Sequence, residues 1–125
     1  MSSLPHQLHQ LKSHTYAALA TGPRLIVLGA VHGNESCGTQ AIQRVMAELD
    51  SGELQLLRGR ITFVPITNPL AYQKNQRNGD RNLNRNFRIT DQPQDFEDRI
   101  ANVLCPMLAD NDVLLQAGSF RHHAS

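Results

Sequence analysis

Along the chain the apolar residues gather into three short runs separated by two stretches in which they recur about once per helical turn. Leu25-Ile26-Val27-Leu28-Gly29-Ala30-Val31 is continuous and β-branched in part, the pattern of a strand covered on both faces. From Glu35, the positions Ala41, Ile42, Val45, Met46 and Leu49 fall on one face while Gln40, Arg44 and Glu48 fall between them. That spacing predicts an amphipathic helix ending near Asp50-Ser51-Gly52. Arg60 to Ile66 predicts a second strand, with Pro65 and Pro69 marking its end or an edge. A second helix is expected with Pro93 in its first turn and Phe96, Ile100, Val103, Leu104 and Leu108 on one face, kinked or ended by Pro106. Asp112 to Ala117 predicts a third strand. Leu4, Leu8 and Leu11 give the stretch up to Ala20 only weak helical spacing, a helix or a loose lead-in.

Strands alternating with helices imply an α/β architecture, a mostly parallel or mixed sheet flanked by helices. In open sheets of that kind ligands collect at the carboxyl ends of the strands. Three segments then share one edge: the turn after Val31, the loop after Ile66 and the segment after Ala117. The chain shows no internal repeat and no linker.

The 125 residues fit one domain, and 40% hydrophobic against 18% charged residues is the composition of a folded protein. A formal charge of +1 argues against whole-surface attraction to nucleic acid or an anionic membrane. Met1 to Gln10 lacks the basic start and apolar stretch of a signal peptide, and no apolar run nears a membrane span. The cytoplasm is the expected location. Cys37 and Cys105 are too few for a disulfide scaffold and are expected to be small buried apolar side chains.

Residues 74–88 change the electrostatic picture. Lys74, Arg77, Arg81, Arg85 and Arg88 stand there against Asp80 alone, a local charge of +4, so the rest of the chain carries −3. Arginine takes a carboxylate bidentately, and Asn84 beside Arg85 adds an amide donor. A small anionic substrate suits such a loop. The competing reading is a solvated loop whose arginines pair with Asp91, Asp95, Glu97 and Asp98. Nucleic acid is disfavoured, because Phe87 is the only interleaved aromatic residue.

In the turn Gly29-Ala30-Val31-His32-Gly33-Asn34-Glu35, an imidazole and a carboxylate lie three residues apart where a strand passes into a helix. His nitrogen with Glu oxygen is a common partial ligand set for zinc. The same spacing also arises from a helix N-terminal Glu beside an incidental His. Gly29, Gly33 and Gly38 form no phosphate-binding loop, since neither G-x-G-x-x-G nor GK[ST] is present.

Four blocks taken in order, VLGAVHGNE (27–35), ITNPLAYQKNQR (66–77), NLNRNF (82–87) and DVLLxxxSF (112–120), make the chain resemble the succinylglutamate desuccinylase/aspartoacylase family, relatives of the zinc carboxypeptidases. The resemblance covers the N-terminal part of a family member, which implies a lead-in over residues 1–23 and the N-terminal part of a zinc hydrolase-like catalytic domain over 24–125. It implies a zinc carboxypeptidase-like fold, truncated here, and one zinc ion held by His32, Glu35 and a later His. It implies also that Arg77, Asn84 and Arg85 bind the carboxylates of a small anionic N-acyl amino acid or polarise its scissile carbonyl. The implied reaction is hydrolysis of the amide bond by a zinc-activated water, with a glutamate as general base. That glutamate belongs to the family's C-terminal part, beyond Ser125. The third ligand ends an Asp-Leu-His-Ser sequence in the family, whereas Gln116, Ala117, Gly118 and Ser119 stand at the matching positions. Glycine offers no side-chain ligand, and His122 or His123 replaces it only if the tail folds back. The expectation is therefore weak zinc binding and an impaired or inactive hydrolase. The alternative is a noncatalytic, anion-binding module derived from the family.

Overall fold

The computed structural model describes residues 10–83, 85 and 87–117. In chain order the elements are β1 (His14–Ala17), β2 (Arg24–Gly29), α1 (Ser36–Ser51), β3 (Arg60–Val64), α2 (Pro69–Gln73), α3 (Phe96–Ala109) and β4 (Val113–Ala117). The strands form one sheet in the order β1-β3-β2-β4. β2 runs parallel to both β3 and β4, whereas β1 is antiparallel to β3. The sheet is thus mixed, and its three parallel strands end on one edge.

The unbroken apolar run of β2 follows from its central place. Ile26 and Leu28 face one core with Val64, Leu70, Phe96, Ile100 and Leu104, while Val27 faces another with Phe63 and Ile42. α3 therefore covers one face and α1 the other, so alternate β2 side chains are both buried. β4 lies at the edge, and its Val113, Leu114 and Leu115 are each about half exposed.

Four expectations need correction. Before Arg24, residues 14–17 form a strand rather than part of a helix or loose lead-in, because β1 pairs with β3 in a register running from His14 opposite Phe63 to Ala17 opposite Arg60. Tyr16 anchors it, with its ring edge-on to Phe63 at 6.0 Å and its hydroxyl donating to Asp50 Oδ1 at 2.8 Å. α3 begins after Pro93, at Phe96, because Asp95 caps it by accepting the Asp98 amide at 2.8 Å. Nor does Pro106 end α3, which continues to Ala109; one missing N–H near the last turn is tolerated there. Cys37 is exposed, not buried, because it lies on the solvent side of the first turn of α1, and Cys105 is intermediate. Burial pushes the Cys105 thiol above its ordinary value. Among the described residues no helix is long and apolar enough to cross a membrane.

Candidate functional site

β2 ends in a strained turn. Ala30 has φ 49°, a left-handed backbone that costs an L-residue about 1–2 kcal/mol. The turn is held from the side by the segment after β3, where the Thr67 amide donates to Gly29 O at 2.8 Å and the Asn68 amide to Ala30 O at 3.0 Å. Strain of this kind persists where the surroundings over-determine it. His32 and Glu35 follow directly from this turn.

His32 Nδ1 and Glu35 Oε2 stand 3.3 Å apart, both largely shielded from solvent. The other ring nitrogen, Nε2, is 3.2 Å from Asn82 Oδ1. An amide oxygen accepts, so this contact suits the tautomer with its hydrogen on Nε2, which leaves a lone pair on Nδ1. A lone pair facing a carboxylate oxygen calls for a proton or a cation between them. Two donors on one tetrahedral zinc ion at about 2.0–2.2 Å also lie about 3.3 Å apart. The pair therefore fits two corners of such a site. Among the described residues no third His, Cys, Asp or Glu joins them.

The turn is docked onto the polar loop. The Gly33 amide donates to Arg77 O at 3.1 Å, and a Cβ at Gly33 would lie 2.1 Å from the Ala71 carbonyl carbon. α2 is capped by Asn68, whose Oδ1 accepts the Ala71 amide at 3.2 Å with Pro69 at the first helical position. Asn68 Nδ2 donates in turn to Glu97 Oε2 at 2.8 Å. Glu97 also accepts the amides of Gly79 at 3.0 Å, Asp80 at 3.1 Å and Arg81 at 3.0 Å. The loop is folded around an α3 carboxylate.

Its arginines divide into two kinds. Arg81 donates from Nε to Asp95 Oδ2 at 2.8 Å and from Nη2 to Asp98 Oδ1 at 2.6 Å, and its Nη1 reaches the carbonyls of Asn82 and Arg85. The Gln94 amide and Arg81 together hold the Asp98 carboxyl below its ordinary value of 3.8. Arg77 and Arg85 are exposed, and no carboxylate among the described residues pairs with either. The expectation of a solvated loop paired to acids thus holds for Arg81 with Asp95 and Asp98. Glu97 takes backbone amides instead of an arginine.

Of the five residues expected in the site, the structure brings His32 and Glu35 together and docks their turn against the backbone of Arg77, with Arg85 one short turn beyond Asn82, whose carbonyl accepts the Arg85 amide at 3.0 Å. Asn84 lies outside the described residues, as do Gly118, Ser119, His122 and His123. Sequence reasoning passed over Asn82, Asn68 and Glu97. Asn68 carried a signal, a capping residue just before a proline. Asn82 sits in the same block as Asn84 and Arg85, but nothing local tells which asparagine faces the histidine. Glu97 reads locally as an ordinary acid in a helix's first turn.

A family model, the succinylglutamate desuccinylase/aspartoacylase catalytic domain, matches residues 21–117. Among solved structures, an aspartoacylase family protein from Mesorhizobium loti is 32% identical, with a TM-score of 0.75 over 85% of this chain and 33% of its own. A succinylglutamate desuccinylase/aspartoacylase from Rhodobacter sphaeroides is 26% identical, with a TM-score of 0.71 over 85% and 32%. The ectoine utilization protein EutE (DoeB) from Ruegeria pomeroyi, solved with product bound, is 24% identical, with a TM-score of 0.66 over 83% and 32%. This last likeness speaks for the fold alone. A search of curated proteins finds no match. The chain spans about a third of the length of these structures. With the family model matching residues 21–117 of the 125 and the fold shared with these structures, this chain belongs to the succinylglutamate desuccinylase/aspartoacylase family of hydrolases.

Proposed function

We propose that this chain carries the metal and anion sites of a zinc-dependent hydrolase acting on the amide bond of a small N-acyl amino acid. The observation that carries this reading is the His32 Nδ1 to Glu35 Oε2 approach of 3.3 Å, at the carboxyl edge of the parallel strands and against a loop with uncommitted arginines. Zinc, when bound, supplies a Lewis acid that acidifies water and polarises a carbonyl. His32 and Glu35 are its ligands from this chain, and Asn82 holds the imidazole with Nδ1 bare. Arg77 and Arg85, with Asn84, take the substrate's carboxylates and place its amide beside the metal ligands. An arginine near the scissile oxygen also offsets the charge that grows there. Arg81 has no such role, since two aspartates occupy its guanidinium.

His32 and Glu35 are two ligands where catalytic zinc is normally held by three, so little turnover is expected from the described residues alone. A second reading, an anion-binding module without chemistry, is favoured by Gly118, a residue with no side-chain ligand, at the position matching the family's third zinc ligand. Metal analysis after zinc loading decides first. Less than about a tenth of an equivalent bound, or binding unchanged in His32→Ala, removes the metal site. Titration with a small dicarboxylate then separates the readings, because binding that needs zinc supports the hydrolase and binding indifferent to zinc supports the module. Release of amino acid from acetylaspartate or succinylglutamate that survives His32→Ala would show the site to be elsewhere.

A further inference from the structure

Glu97 is fully buried, and no Lys or Arg side chain among the described residues pairs with it. An isolated buried carboxylate is costly unless hydrogen bonds compensate it. Here four donors do: Oε2 takes Asn68 Nδ2 and the Gly79 amide, and Oε1 takes the amides of Asp80 and Arg81. Three successive backbone amides turned onto one carboxylate make a concavity suited to an anion. In this chain the anion is supplied from α3. Its place in the first turn of α3 adds the favourable end of the helix dipole.

Each oxygen leads to the candidate site by a separate route. Through Oε1, the amides of Asp80 and Arg81 fix the chain immediately before Asn82, whose Oδ1 meets His32 Nε2 at 3.2 Å. Through Oε2, Asn68 is held where its side chain caps α2 and its amide pins Ala30, two residues before His32. Glu97 itself makes no hydrogen bond or ion pair with His32 or Glu35. We propose that Glu97 is a positioning residue, whose buried carboxylate sets Asn82 against His32 and so fixes which imidazole nitrogen faces Glu35.

The role in zinc affinity rests on the proposed metal site; the role in setting the imidazole does not. Glu97→Gln keeps the shape but replaces one acceptor oxygen with a donor, so the converging amides lose half of their acceptors. In metal-free wild type, long-range proton–nitrogen spectra of His32 are expected to show one set of ring signals, as for an imidazole held in one orientation, and the amides of residues 79–81 to exchange as slowly as those of α3. In Glu97→Gln and in Asn82→Ala those ring signals shift and broaden as the single orientation is lost. In the Asn82→Ala background, Glu97→Gln produces no further change. Zinc affinity falls about tenfold in each single variant and no further in the double. If Glu97→Gln does not fold, Glu97→Asp, shorter by one methylene, serves the same comparison.

Fast exchange at residues 79–81 in wild type would overturn the proposal. So would a folded Glu97 variant with the His32 spectrum unchanged, or effects of Glu97→Gln and Asn82→Ala that simply multiply. A wild type that binds no zinc while its His32 spectrum responds to Glu97→Gln would remove the metal reading and leave the positioning role standing.

Discussion

Gly33→Ala is the sharpest test of how the histidine turn is held. A Cβ there would lie 2.1 Å from Ala71 C, 2.3 Å from Ala71 O and 2.4 Å from Gln76 O, all backbone atoms. Ordinary contact begins near 3.4 Å, so the turn and the end of α2 must part by about 1 Å or more. The two obstacles cannot separate independently, because the Gln76 amide donates to Ala71 O at 2.9 Å. Parting also breaks the Gly33 amide bond to Arg77 O. Overpacking of a tight site costs about 1–3 kcal/mol, and a lost backbone bond adds about 1 kcal/mol. A total of roughly 2–4 kcal/mol is expected, a large share of the stability of a small domain. Gly52→Ala is the matched control. Gly52 caps α1 with φ 86° and has nothing within 4 Å, so its substitution costs only the left-handed backbone, about 1 kcal/mol. Urea unfolding followed by circular dichroism measures both. Gly33→Ala within about 0.5 kcal/mol of wild type, or no worse than Gly52→Ala, would refute the close-approach argument.

Leu104, 1% exposed between α3 and the sheet, is expected to lose about 2–5 kcal/mol as Ala, against under about 0.5 kcal/mol for the fully exposed Leu19; the same unfolding assay compares them. Asp98 titrates below its ordinary value in the folded chain, so its contribution is complete above the unfolded value and fades as pH falls through the folded one. The melting temperature gap between wild type and Asp98→Asn should therefore be constant near neutrality and narrow below about pH 4. A gap that widened on acidification would contradict the Gln94 and Arg81 bonding. Arg81→Ala should lower the melting temperature, whereas Arg77→Ala and Arg85→Ala should leave it within about 1 °C and weaken dicarboxylate binding instead. Equal losses of stability in all three would erase the distinction between them.

What the sequence by itself determined is local. Continuous apolar residues over 25–31 announce a strand buried on both faces, and one-turn spacing over 41–49 announces α1, because each pattern is the imprint of one backbone period on one environment. The HGNE turn and the asparagine–arginine blocks were legible for the same reason, each lying within a few residues. β1 was not legible. His14-Thr15-Tyr16-Ala17 is short and mixed, and becomes a strand only because β3, more than 40 residues later, offers it a free edge. The five loop cations likewise look equivalent along the chain, and only α3 distinguishes them by bringing Asp95 and Asp98 to Arg81. Asn82 against His32 spans 50 positions, and Glu97 against the loop amides spans 16 to 18. Periodicity and turn chemistry are properties of neighbouring residues, but a hydrogen-bond partner is chosen by which surfaces the packed core brings together. That choice was made by the sheet order and by α3 lying across it.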